Sequence, residues 1–152
     1  MGVRLFAVIS GIIYLVVGIL GFFPVFLTAP IGAPDLAVDG IYGYLFGIFP
    51  VNSLHNIVHL AVGIWGILAY RRYSSARTYS KSLAIFYGVL AIMGLFPILQ
   101  TTFGLIPIFG NDIWLHALTA LIAAYYGFIA KRPATVLDAE AEREPVSSRD
   151  IY

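Results

Sequence analysis

LFAVISGIIYLVVGILGFFPVFL, residues 5–27, contains no charged side chain. At about 1.5 Å of rise per residue, a helix of this length covers the ~30 Å hydrocarbon core of a bilayer. The run is too long for the ~7–15-residue apolar core of a secretory signal. Its exit, Leu27-Thr28-Ala29-Pro30, also lacks a small residue three positions before the would-be cut and puts Pro30 after it. It therefore reads as an uncleaved first span.

Three further runs repeat the pattern, at residues 53–70, 82–99 and 112–130. Each must satisfy its own backbone if lipid surrounds it, which makes it a helix and not a strand. The whole composition agrees. Hydrophobic residues form 60% of the 152 and charged residues 11%, where a soluble domain has ~45–50% and ~25%. The expected fold is an all-α membrane domain of four transmembrane helices over residues 1–132, followed by a flexible, polar cytoplasmic tail over 133–152 rich in acids. The lipid bilayer is the expected partner, and a homo-oligomer or larger membrane complex is compatible with so small a domain.

Charge placement orients the spans. Arg4 precedes the first, Arg71, Arg72, Arg77 and Lys81 fall between the second and third, and Lys131, Arg132, Arg143 and Arg149 follow the fourth. The other two connections, residues 28–52 and 100–111, hold Asp35 and Asp39 and no basic residue. By the positive-inside rule both termini and the middle connection are cytoplasmic. Residues 40–50 and 103–109 are apolar and too short to span, so they read as interfacial or partly re-entrant, with Tyr42 and Tyr44 near the headgroups. Asn52 and Ser53 are N-cap residues for the second span, and Asn111 and Asp112 open the fourth in the same way. Pro24 and Pro97 end or kink the first and third.

The halves resemble each other. Tyr14, Gly21, Phe23 and Pro24 match Tyr87, Gly94, Phe96 and Pro97 at an offset of 73, and Pro50, His55 and His59 match Pro107, Asp112 and His116 at an offset of 57. The reading is two copies of one helical hairpin, related by a pseudo-twofold axis along the membrane normal.

A net charge of +1 with scattered basic residues argues against nucleic-acid binding, and the absence of cysteine excludes disulfides and thiolate sites. No phosphate-binding glycine loop, catalytic triad or carboxylate pair is present, so no enzymatic activity is expected. The polar residues that remain form one constellation. His55 and His59 share a helix face four residues apart, Asp112 and His116 repeat the spacing, and Asn56 lies beside them. Ionisable groups at such depth face the bundle interior or a wet cavity. Four readings follow. The cluster can hydrogen-bond between helices and hold the bundle together with no cofactor. His55, His59, Asp112 and His116 can ligate zinc or a similar divalent metal. His59 and His116 can form the axial pair of a haem. A protonation-sensitive gate is the fourth.

The stretch LFGIFPVNSLHNIVHL, residues 45–60, with Phe49, Pro50, Asn52, His55, Asn56 and His59, resembles the signature of domain-of-unknown-function family 4383 (DUF4383), small bacterial four-helix membrane proteins. The second half echoes it at Pro107, Asn111, Asp112 and His116, with Ile113 in the place of Asn56. The resemblance implies a multi-pass protein of the bacterial inner membrane and no assigned activity. The expected role is structural or accessory. The alternative is a metal- or haem-binding redox or sensor protein.

Overall fold

The computed structural model describes residues 2–132 and Ala134. The tail expected at 133–152 otherwise lies outside the described residues. Four helices carry the chain: α1 (Val3–Leu20), α2 (Ser53–Ala69), α3 (Tyr73–Gly94) and α4 (Asn111–Ala124), the last continuing into a π-helical turn at Tyr125–Ile129. Helices α1 and α2 pack as one hairpin and α3 and α4 as another, with α1 against α3 joining them. Two helices, Val3–Leu20 and Asn111–Ile129, are long and apolar enough to cross a membrane.

The chain is mostly helical, as expected, and adds one small sheet in the connection between α1 and α2. Strands β1 (Leu27–Thr28), β2 (Gly43–Leu45) and β3 (Phe49–Val51) pair antiparallel in that order, with Leu27 opposite Leu45 and Tyr44 opposite Pro50. The apolar segment read as interfacial thus forms a β2–β3 hairpin, with Phe46 and Gly47 in its turn at positive φ. Leu45 and Val51 are buried beneath it.

Several boundaries also shift. Helix α1 ends at Leu20 and not near residue 27, because the ring of Pro24 clashes with the carbonyl four residues back. Pro97 acts alike on α3, which stops at Gly94. At its other end α3 starts at Tyr73, nine residues before the expected span. Arg77 and Lys81 therefore ride on a helix, since Ala76, Arg77 and Lys81 are helix formers with no Gly or Pro among them. The α4 cap is Gly110, at φ 64°, with no side-chain hydrogen bond, in place of Asn111 or Asp112. Asn52 does cap α2, its side chain accepting from the His55 amide.

Two glycines set how closely the first hairpin packs. A Cβ on Gly11 would come within 2.8 Å of the Ile67 nitrogen, and one on Gly63 within 2.7 Å of the Leu15 nitrogen. Only bare backbones can approach so nearly. At the Arg-rich end the core is Val3, Phe6, Ala7, Ala69, Ala76, Tyr79, Leu83 and Ala123, and Tyr87 extends it towards the middle of the bundle. The outward faces are as apolar as the core. Ile12, Ile64, Ile85 and Leu121 are all at least half exposed.

Candidate metal centre

The first turn of α2 begins the site. Asn52, fully buried, accepts the His55 amide at 2.9 Å and donates from its amide to the Val38 and Leu105 carbonyls at 2.7 Å each. One side chain thereby ties the helix start to the α1–α2 and α3–α4 connections. The 3.6-residue period then turns His55, Asn56 and His59 inward, and all three are buried. On α4 the same period buries Asp112 and His116, whose Nε2 lies 3.4 Å from Asp112 Oδ2. Asp112 also stands in the first turn of α4, where the helix dipole favours a carboxylate.

The two helices bring these residues together. Ligand atoms of His55, Asp112 and His116 all lie within 4.8 Å of one another. His59 is outside that trio. Its ring packs 4.3 Å from that of His55, while His55 and His116 are 6.3 Å apart by ring centroids. The four residues expected to act as one set thus divide into three convergent donors and one neighbour.

A cavity of about 40 Å³ lies against all three histidines and is closed by Tyr87, Thr102 and Ile108. Several polar groups of the cluster are short of partners. His55 Nδ1, His59 Nδ1, His116 Nδ1, Asp112 Oδ2 and both amide atoms of Asn56 are buried without a hydrogen bond. A buried polar group without a partner costs roughly 1–3 kcal/mol, so a donor set this deprived favours an occupant that accepts lone pairs. A metal ion fits the chemistry of the His55, Asp112 and His116 donor set. A haem does not: a cavity of about 40 Å³ leaves no room for a porphyrin between His59 and His116.

Sequence reasoning missed the walls. Tyr14 and Tyr87 were visible only as repeat partners, yet Tyr14 packs on His59 (centroids 5.5 Å apart) and Tyr87 on His116 (5.0 Å). Thr102 carries no sequence signal. It holds a positive φ of 46°, an outlier for a β-branched residue, and its Oγ1 is 2.7 Å from the Ile106 amide that donates to it.

A four-helix chain with a buried His/Asp cluster at one end of the bundle is the class these observations define. The match to a family model is more specific: residues 4–129 match Domain of unknown function (DUF4383), and the chain belongs to that family. No curated protein and no solved structure matches it.

Proposed function

We propose that this chain is a four-span protein of the bacterial inner membrane that binds one divalent transition-metal ion in the outer half of its bundle, through His55, Asp112 and His116, with His59 packed against His55 beside them. The observation that carries this is the convergence of three buried ligand atoms to within 4.8 Å of one another, in a cluster where His55 Nδ1, His116 Nδ1 and Asp112 Oδ2 have no hydrogen-bond partner. A shared ion sits about 2.0–2.2 Å from each ligand, which draws the donors slightly closer than they stand. Two imidazoles and one carboxylate suit Zn²⁺, and equally Fe²⁺, which favours this set when coordination positions are left open. Zn²⁺ would act as a Lewis acid, whereas iron could also carry an electron. This chain's own part is to fix three donors and keep bulk water from them.

The membrane reading rests on the apolar outward faces and on the charges. Arg4 lies against Tyr70, Lys81 against Phe128 and Arg132 against Tyr73, all at the end of the bundle opposite the histidines. Polar–aromatic belts of this kind suit a membrane interface. With the positive side inward, both termini are cytoplasmic and the metal centre lies toward the outside.

The duplication gains support from contacts at matching positions. Arg4 Nε donates to the Tyr70 carbonyl at 2.7 Å, and Arg77 Nε to the Gly127 carbonyl at 2.9 Å, at the same offsets of 73 and 57. Val3, Phe6, Ala7, Ser10 and Gly18 are buried in α1, and so are Ala76, Tyr79, Ser80, Leu83 and Ala91 in α3. The metal ligands follow from the same duplication, with His55 and Asp112 as one matched pair.

The simpler role, a bundle held together by hydrogen bonds within the cluster, accounts for the Asp112–His116 contact and leaves the other buried donors and acceptors unanswered. Metal analysis of protein purified through a histidine-free tag separates the two. The expected result is one zinc or iron per chain, falling to background in His55→Ala and His116→Ala. A metal-free protein that also takes up neither ion on titration would refute the metal centre and leave the structural role.

A further inference from the structure

A second cavity, of about 230 Å³, opens between α1 and α4. Helix α1 packs against α2 and α3 and hardly touches α4, which leaves a cleft running in from the side of the bundle. Its mouth is apolar: Ile13, Leu115 and Ile122 are 54%, 42% and 41% exposed. Its inner end is polar, where Tyr14, Thr119 and His59 meet. His59 is 6% exposed, its Nδ1 has no hydrogen bond, and it lines both this cleft and the histidine cavity.

We infer that the cleft between α1 and α4 binds a neutral lipophilic ligand with a compact, hydrogen-bonding ring head, of the quinone class, which enters from the bilayer and sets its head against His59, Tyr14 and Thr119. The lining holds no Lys, Arg, Asp or Glu, so nothing there recognises a charged headgroup or an ionic solute. The volume, about 230 Å³, accommodates a compact ring head. The position of the mouth, on a face of exposed Ile and Leu, requires an occupant already dissolved in lipid. An acyl chain meets that requirement but leaves the His59 nitrogen facing hydrocarbon, at the full cost of its desolvation. A quinone carbonyl accepts from the hydroxyls and from the imidazole, while its tail lies along the apolar mouth. The inference rests on the membrane-spanning reading and not on the presence of a metal, since the cleft is lined by none of His55, Asp112 and His116.

The test is photolabelling of the full chain in lipid nanodiscs with an azido-benzoquinone bearing a decyl tail, mapped by mass spectrometry. The expected result is saturable labelling of the residue 10–17 and 115–122 peptides. A non-photoreactive decyl benzoquinone should compete with it, and decanol should not. Ile122→Trp fills the mouth and should reduce labelling at least ten-fold, whereas Leu121→Trp, on the open lipid face, should leave it unchanged. Thr119→Val keeps the shape and removes the hydroxyl, and should weaken competition at least three-fold, so the test stands even if Ile122→Trp fails to fold. Unsaturable labelling spread over all four helices, or competition by decanol as good as by the quinone, would overturn the inference; the second result would assign the cleft to an acyl chain. Metal content is measured on the same samples. His55→Ala should lose metal and keep labelling, so failure of the quinone site and failure of the metal centre are told apart.

Discussion

Tyr14 of α1 and Tyr87 of α3 stack on one another, with ring centroids 5.5 Å apart and planes 26° from parallel. They occupy matching positions in the two hairpins, and each packs on the histidine of its own hairpin, Tyr14 on His59 and Tyr87 on His116. The stack is therefore one of the contacts that join the two halves of the bundle, beside the buried His/Asp cluster. Truncation there leaves a cavity at the junction. Tyr87→Ala should destabilise the protein by about 3–5 kcal/mol and Tyr87→Phe by about 1 kcal/mol, measured by thermal or denaturant unfolding in detergent. Equal, small effects of both would mean that the halves are joined elsewhere.

Asn52 should matter beyond its role as a cap. Loss of the cap costs about 1 kcal/mol, and loss of its two amide donations also frees the Val38 and Leu105 carbonyls. Asn52→Ala is expected to cost about 2–3 kcal/mol in total. It should speed hydrogen–deuterium exchange in both outer connections while leaving the Arg-rich end unchanged. Exchange confined to the start of α2 would reduce Asn52 to an ordinary cap.

The absence of cysteine makes the topology directly testable. Ile31, 89% exposed in the first outer connection, and Ser74, exposed at the start of α3, are suitable single-cysteine positions. A membrane-impermeant maleimide applied to spheroplasts should label Ile31→Cys and spare Ser74→Cys until the membrane is permeabilised. The reverse pattern would invert the protein, and labelling of both would remove the four-span arrangement.

The four helices were legible because their signals are long-range averages: apolar runs for their existence, prolines for their ends. The helical start of α3 was hidden because hydropathy registers only its apolar part, while Arg77 and Lys81 are helical for reasons of propensity. The sheet was hidden because its strands are two or three residues long and their period-two pattern is lost among neighbouring aromatics. In the site, His55, His59, Asp112 and His116 were found by i,i+4 spacing, which places side chains on a face but does not say how two helices are rotated against each other. That rotation separated His59 from the convergent three. Tyr14 and Tyr87 lie about three and four turns into α1 and α3, among apolar residues, so nothing local distinguished them from core.

The central claim is that His55, Asp112 and His116 hold a metal ion. X-ray absorption spectroscopy of the purified protein, loaded with one equivalent of Zn²⁺ or Fe²⁺, examines that ligand set most directly. The account predicts a first shell with two imidazole nitrogens and at least one oxygen at about 2.0–2.2 Å, and loss of one imidazole's scattering in His116→Ala. A first shell of oxygen alone, or a spectrum unchanged by that substitution, would contradict it.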